Sequence, residues 1–424
     1  MLRFKLLIIF FTFNFIYGQD TITVMTYNLL NFNNNTSYCT QTNNPVNIKI
    51  NNLKTIVNYV APDIIGFNEV GANNSNIQLL LDSVLNKTTI SKTYERIPYI
   101  NSTSSDIIST LFFNANKFAL YNVNFLSTDV RDVLLITLYY KSKELVNNND
   151  TVFIRIIVAH LKAGSTSSDQ QARAQQTSII MDYLNSLGNI KNTILMGDLN
   201  VSSSTEACFQ NLINYQNSAI RFYDPVNKLG TWHDNQEYAM YHTQSTQEIS
   251  NGCTSGGGLD DRYDFILVSF GIMNNLYKIQ YLTNSYKVIG QDGNRFNMSV
   301  NNPTNVSAPS NVIEALAQIS DHLPVSLKLV INQTPLIGIN KNDYNNEFFS
   351  ILDWNINTLN IYSNGFFDKA QINIFNYMGI MLFEKNINLA QGENYITTPT
   401  INEGLYIVRI KANNKAFYYK IVKK

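Results

Sequence analysis

The stretch Thr193-Ile194-Leu195-Met196-Gly197-Asp198-Leu199-Asn200 decides how the chain is read. Thr193–Gly197 has the composition of a buried strand, and it runs without a break into an acid and, two residues on, an amide. A carboxylate at the end of a buried run is costly unless it is paired, hydrogen-bonded or bound to a metal. The same arrangement recurs along the chain. Thr21–Asn28 closes on Tyr27-Asn28, Asp63–Asn68 on Asn68-Glu69, and Val152–His160 on Ala159-His160. Tyr263-Asp264 opens the strand Phe265–Ser269, and Ser320-Asp321-His322 precedes the strand Pro324–Val330. Taken singly, an Asp after a strand is usually a turn residue or a helix cap, and a lone His is usually structural. A series of such strand ends points to one convergent site.

Working outward, Ile48–Val60 carries apolar residues at helical spacing (Ile48, Leu53, Ile56, Val57, Val60), and Gln170–Leu187 reads as a helix stopped by Gly188. Leu111–Phe113 and Val133–Tyr140 add strands. Many strands interleaved with a few helices predict an α/β layered domain. The Asn-rich runs 31–47 and 294–311 read as polar surface insertions. After a break at 332–340, short strands separated by Asn/Gly turns predict a compact β unit: Leu359–Ser363, Ala370–Asn376, Leu405–Lys411 and Ala416–Val422. The expected organisation is an export signal at 1–18, an α/β domain at 19–332, a linker at 333–342 and a β-rich domain at 343–424.

Composition sets the limits. With 45% hydrophobic and 15% charged residues, global disorder is excluded. A formal net charge of zero and a pI near 6.9 argue against tight, non-specific grip on nucleic acid, so any such contact is local and transient. At the N-terminus, Arg3 and Lys5 precede the apolar run Leu6–Ile16 and then Tyr17-Gly18 before polar Gln19-Asp20. That is the layout of a cleaved export signal, and the run is short for a membrane span. No cysteine follows it to carry a lipid anchor, and no second long apolar stretch occurs, so no stable membrane insertion is expected. Export places Cys39, Cys208 and Cys253 where a disulfide persists, and the odd count leaves at least one thiol unpaired.

In this order, Tyr27-Asn28, Asn68-Glu69, Ala159-His160-Leu161, Gly197-Asp198-Leu199-Asn200, Tyr263-Asp264 and Ser320-Asp321-His322 resemble the endonuclease/exonuclease/phosphatase superfamily over most of 21–331. His160-Leu161-Lys162-Ala163-Gly164 followed by Arg173, with Ser285-Tyr286 and Asp292-Gly293, is similar to secreted bacterial members of its deoxyribonuclease I-like branch. The resemblance implies a four-layered α/β-sandwich with the site at one end. It implies Glu69 as main ligand of Mg²⁺ or Mn²⁺ (with Ca²⁺ an alternative), and Asn28 and Asp321 close by; hard cations take oxygen ligands. His322, oriented by Asp264, would activate water. Asp198 and Asn200 would position water and phosphate, and His160 would contact the phosphate or protonate the leaving oxygen. Arg131 and Arg173 would contact substrate.

The match is not complete. The branch gives the histidine matching His160 a glutamate partner; here the stretch reads Ser105-Asp106-Ile107-Ile108, which offers Asp106. The resemblance pairs Cys208 with Cys253 and leaves Cys39 without an assignment. His233 and His242 read as loop or core positions. Gly404-Leu405-Tyr406-Ile407-Val408-Arg409-Ile410 and the basic tail Lys420–Lys424 resemble a type IX secretion sorting domain, against the alternative of an Ig-like surface-binding module. The expected protein is therefore a secreted or cell-surface monomeric phosphodiesterase, an endonuclease on extracellular DNA or RNA, whose other partner is the secretion machinery. A sphingomyelinase-like lipid phosphodiesterase or a phosphomonoesterase of the same fold is the alternative, and a non-catalytic scaffold is disfavoured because no core residue is lost.

Overall fold

The computed structural model describes residues 19–142, 145, 151–333 and 349–423, apart from 356, 377, 378 and 414. The export signal expected at 1–18 and most of the linker expected at 333–342 lie outside the described residues. The chain divides into two compact units, Met1–Leu336 and Ile337–Lys424.

In the first unit the strands are β1 (Gln19–Phe32), β2 (Ile64–Gly71), β3 (Tyr94–Arg96), β4 (Ile107–Asn114), β5 (Phe118–Leu126), β6 (Val133–Tyr140), β7 (Phe153–His160), β8 (Thr193–Asp198), β9 (Phe222–Tyr223), β10 (Asp264–Ser269), β11 (Ile279–Tyr281), β12 (Lys287–Val288) and β13 (Val325–Asn332). The main helices are α1 (Val46–Val60), α2 (Asn74–Ser83), α3 (Ser167–Ser186), α4 (Ala207–Ile213) and α5 (Ser310–Ile319). One sheet runs β11-β13-β1-β2-β4-β3, with β12 against β13, and the other runs β5-β6-β7-β8-β10-β9.

The period of two along each strand builds the layers. In β7, Ile154, Ile156 and Val158 face the core between the sheets, while Ile157 and Ala159 face a second core shared with Ile180, Met181 and Leu184 of α3. In β8, Ile194 and Met196 point inward and Leu195 outward; in β10, Ile266 and Val268 point inward and Phe265 and Leu267 outward. On the far side, Leu53, Ile56 and Val57 of α1 and Val312, Ile313, Leu316 and Ile319 of α5 cover the first sheet. The result is the expected four-layered α/β-sandwich.

Each sheet holds one parallel pair, β1/β2 joined by α1 and β7/β8 joined by α3. A helical crossover returns the chain to the same edge, so both strands of a pair end together. Asn28 lies opposite Asn68, and His160 opposite Asp198. The antiparallel neighbour β10 begins where β8 ends, with Asp264 opposite Asp198. Register alone thus gathers the polar strand ends at one edge of the sandwich.

Gly197 shows why that edge needs a glycine. It has φ +136°, and a Cβ there would lie 1.9 Å from the Ala159 carbonyl oxygen on β7. Only glycine adopts this conformation without clash.

Three expectations are corrected. The disulfide joins Cys39 to Cys253, and Cys208 is a free, buried thiol on α4. Cys208 faces the α3–α4 core, where burial above all, with nearby Glu206, pushes its pKa up to about 12. Cys39 and Cys253 instead sit in two loops that adjoin, tied also by reciprocal bonds between Asn43 and Asn251. On α1 the apolar face is turned by one residue: Ile48 is 47% exposed and Lys49 only 2%. The segment read as an insertion up to 311 gives way at Ser310 to α5, which packs on α1. The edge strand β5 was also not anticipated, because most of its side chains are half-buried or exposed and alternation is weak.

The second unit is all-β. A three-stranded sheet orders β14 (Phe349–Asn355), β15 (Thr358–Ser363) and β18 (Gly392–Thr397); a four-stranded sheet orders β17 (Met381–Leu389), β16 (Phe367–Asn376), β19 (Gly404–Ala412) and β20 (Lys415–Lys423). Both contribute to one core, with Phe349 against Phe417 and Trp354 against Tyr406.

Candidate active site

The site is assembled from the ends of β1, β2, β7 and β8, the start of β10 and the turn into β13. Asn28, fully buried at the β1 end, donates from Nδ2 to Glu69 Oε1 and Asp198 Oδ2, each at 3.0 Å, so one amide joins the two sheets. Its oxygen accepts from Leu30 N–H at 2.9 Å. Asn28, expected near the metal ligands, lies between two carboxylates and braces both through its nitrogen.

Glu69 lies in a bulge of β2, where the pairing with β4 shifts register between Phe67 and Val70, and it adopts φ +57°. A non-glycine residue at positive φ is strained, and a bulge re-aims a side chain. Here the carboxylate turns toward Asn28, and Oε2 accepts Asn31 N–H at 3.0 Å.

Asp198 occupies a regular ladder position, and its carboxylate accepts from Asn28 Nδ2 and from Asn200 N–H at 3.0 Å. Burial above all, reinforced by Asp264 and Glu69 and opposed by His322 and Asn28, pushes its pKa up to about 7. Asn200, at φ +50°, donates its amide to Leu161 O. Asn68 locks the sheets together: it accepts Asp198 N–H and donates to Ser109 Oγ and Ala159 O.

His322 Nδ1 lies 2.7 Å from Asp264 Oδ2, and Nε2 is 3.8 Å from Asp198 Oδ2. Burial opposes charge on this ring, but Asp264 and Asp198 outweigh it and hold its pKa well above the usual value. His160 shows the reverse. Burial, with Arg131 and His322, drives its pKa well down, so it is neutral. Its Nε2 is 3.6 Å from Asp198 Oδ2 and 3.9 Å from Glu69 Oε1. Its Nδ1 is buried without a hydrogen-bond partner, and Asp106 is exposed, so the partnership expected between them is not formed.

Asp321 is 3% exposed; Oδ2 accepts Ser255 N–H at 2.8 Å, and Oδ1 has no partner. Ser320 donates from Oγ to Asn28 O at 2.7 Å, tying the β13 turn to β1. Arg131 donates from Nε to His160 O and from Nη2 to Leu161 O. It is half-buried, at the rim of the cluster; burial lowers its pKa, while Glu69 and Asp198 pull the other way. Arg173 is not brought there. It is 1% exposed, ion-paired with Glu206 at 2.7 Å and bonded to the carbonyls of Lys162 and Gly164. Its guanidinium shapes the loop after His160 and is not free to meet a substrate. His242 is a core residue held by Trp232 O, as expected of it, and His233 is an exposed partner of Asp261.

Among the described residues three groups of side chains bring ligand atoms within 4.8 Å of one another: Glu69, His160 and Asp198, and Asp198, Asp264 and His322, which share Asp198, and separately His233, Asp260 and Asp261. Carboxylates crowded so closely, one raised to about 7 and two with orphaned buried oxygens, fit a divalent cation, which would relieve their repulsion.

The Endonuclease/Exonuclease/phosphatase family model matches residues 25–278. The chain belongs to that family. Members of the Endonuclease/Exonuclease/phosphatase family are divalent-metal-dependent phosphoester hydrolases, and the matched range carries Asn28, Glu69, His160, Asp198 and Asp264. Asp321 and His322 follow it, on the turn into β13. A Secretion system C-terminal sorting domain matches residues 355–424, which points to handling by secretion machinery and to a secreted or cell-surface protein. Among the described residues no helix is long and apolar enough to cross a membrane.

Similar solved structures include TDP2 of D. rerio complexed with a single-strand DNA product (11% identity, TM-score 0.45, covering 73% of this chain and 98% of that one). Others are the human Nocturnin catalytic domain (15%, 0.43, 73% and 97%) and ANGEL2, a 2',3'-cyclic phosphatase (11%, 0.43, 74% and 96%). No curated protein matches the chain.

Residues outside the expected set also meet here. Lys49 sends Nζ to the carbonyls of Leu29, Leu30 and Ile319 at 2.6 to 2.7 Å. Burial lowers its pKa to about 7, against the pull of Asp321 and Glu69. A lysine at the core-facing spacing of α1 was the readable signal. Gln244 approaches His322 from a segment with neither strand nor helix periodicity, and nothing in the sequence marks it.

Proposed function

We propose that the chain is a secreted, metal-dependent phosphodiesterase, an endonuclease that hydrolyses extracellular DNA or RNA by in-line attack of water. The observation that carries this reading is the buried Asp264–His322 pair at 2.7 Å with Nε2 turned toward Asp198, in a cluster that also holds Glu69. A carboxylate on Nδ1 sets the tautomer, so Nε2 is the basic atom, as a base for water requires.

Glu69 and Asp198, with Asp321 near, would hold Mg²⁺ or Mn²⁺, and such an ion polarises a phosphoryl oxygen and offsets charge on the leaving group. His322 takes the water proton at Nε2, and Asp264 stabilises the imidazolium that results. Asn200 and Asp198 orient the water. His160, being neutral, serves as a hydrogen-bond donor to a phosphate oxygen, a role that suits it better than proton donation. Arg131 meets the phosphate from the rim. The product leaves readily from a chain of zero net charge.

The test uses the full secreted chain with plasmid DNA, RNA, sphingomyelin and a chromogenic phosphodiester, in Mg²⁺, Mn²⁺ or EDTA. Nucleic acid should be cut in metal and spared in EDTA. Glu69→Ala and His322→Ala should each lower turnover by ~10³-fold or more with the circular dichroism spectrum retained. Full activity in either variant removes the assigned mechanism, and cleavage of sphingomyelin alone makes this a lipid phosphodiesterase.

A further inference from the structure

Gln244 lies outside every segment that the resemblance joins together. Its backbone is pinned on both sides. Its N–H donates to Asp261 O, its carbonyl accepts from the N–H groups of Asp260 and Asp261, and it forms β-bridges with Asp261 and His322. Its side chain therefore has a defined origin, and it reaches into the site. Nε2 sits 2.7 Å from His322 Nε2 and 3.4 Å from Asp321 Oδ2.

Two partners fix which way this amide faces. Asp321 Oδ2 is an acceptor, so the amide presents N–H rather than oxygen to it. The ring nitrogen opposite the same amide nitrogen must then be an acceptor too. His322 Nδ1 faces the Asp264 carboxylate, which accepts only, so in the neutral ring, the form that can act as a base, Nδ1 carries the hydrogen and Nε2 the lone pair. One NH₂ group has two hydrogens, and this geometry gives each an acceptor. The competing arrangement is near at hand, because Asp198 Oδ2 is 3.8 Å from the same Nε2. A ring that turned its Nε2–H onto Asp198 would lose its basic atom and occupy a carboxylate oxygen that the cation needs.

We propose that Gln244 is a positioning residue: its amide holds His322 off Asp198 with the Nε2 lone pair directed into the site, and braces Asp321 at the same time. The inference rests on the reading of His322 as the base. During turnover the amide yields Nε2 to the incoming water and keeps Asp321. The side chains nearest to glutamine in size do not meet the demand. Asn is a methylene too short, Glu has no hydrogen to donate and sets a second charge beside Asp321, and Met matches the length without a polar head.

Gln244→Met and Gln244→Glu test this in the full chain. Both should keep the melting temperature within a few degrees, since Met and Glu preserve packing length. kcat for a phosphodiester should fall about tenfold or more, with KM within about twofold. Nitrogen NMR provides a reading that does not depend on activity, and it is tractable with four histidines in the chain. At a pH where the His322 ring is neutral, its Nε2 resonance in the wild type should be that of a hydrogen-bonded acceptor, and it should move in Gln244→Met. Wild-type kcat in both variants, or an unmoved Nε2 resonance in Gln244→Met, overturns the proposal. If the wild type hydrolyses no phosphodiester, the functional reading fails, and the NMR comparison alone still decides whether Gln244 holds the ring.

Discussion

The β1–α1–β2 and β7–α3–β8 units have one topology and deliver a carboxylate to one site, yet they do it by different means. In the first, Glu69 leaves the ladder at a bulge, in a left-handed backbone conformation, with 16% of its side chain exposed. In the second, Asp198 stays in register with His160 and is buried, and the conformational burden falls on the preceding glycine. Each crossover helix also sends a buried cation to the carbonyls beyond its strand end. Lys49 of α1 reaches Leu29 and Leu30 after Asn28, and Arg173 of α3 reaches Lys162 and Gly164 after His160. Arg173 has Glu206 as a partner, while Lys49 has carbonyls alone. The first unit is strained and open to a ligand, and the second is regular and electrostatically loaded. A site can be split into a part shaped by backbone geometry and a part tuned by burial.

The comparison can be broken at several points. The largest expected effect is on the disulfide, which tethers the loop after β1 to the segment carrying Gln244 and Ser255. Cys39→Ser should cost about 4 kcal/mol in urea melts, because the bridge closes a 214-residue separation. Cys208→Ser should change little, and the reverse result would restore the pairing the sequence suggested.

Next come the two buried cations. Lys49→Met leaves three buried carbonyls without a donor, and Arg173→Met leaves Glu206 buried and unpaired; each should cost ~3 kcal/mol. Only Lys49→Met should also weaken Mn²⁺ binding by calorimetry, since its contacts flank both Asn28 and Asp321. Equal loss of binding in both variants would erase the distinction drawn between the units.

The third test is pH. The Asp198 carboxyl has a folded pKa of about 7, above its ordinary 3.8, so it binds a proton as pH falls through 7 and ceases to be a ligand. Apparent Mn²⁺ affinity should drop by up to about tenfold per unit between pH 7 and 6, with proton release on binding. The same raised pKa makes the carboxylate destabilising to the metal-free fold as pH rises from about 4 to 7, a dependence that Asp198→Asn should flatten. A pH-independent affinity would mean that Glu69 holds the ion without Asp198. The smallest effect concerns strain: Glu69→Gly should abolish turnover yet change the metal-free stability by no more than ~1 kcal/mol, because relief of the positive φ offsets the lost bonds from Asn28 and Asn31.

Much of this was legible because strand ends are local. Burial by alternation, a glycine before an acid, and a Ser-Asp-His turn before a strand are all patterns in adjacent residues. The failures share a cause. Arg173 and Arg131 look alike in sequence, but one is spent on Glu206 and the other lies at the rim. Asp106 directly precedes β4, and it is exposed to solvent. Cysteine pairing depends on which loops adjoin, and those loops have no periodicity to read.

The sequence by itself determined the layered α/β architecture, because side-chain period and strand length are properties of short segments, and the order of its strand-end motifs carried the resemblance to the family and to its site residues. Only the tertiary structure decided which atoms of those residues face one another: the Cys39–Cys253 bridge, the Asn28 amide between two sheets, the lysine under the site and the glutamine beside the base. Those contacts join residues far apart in the chain, and their energies depend on burial and distance, which no local pattern encodes.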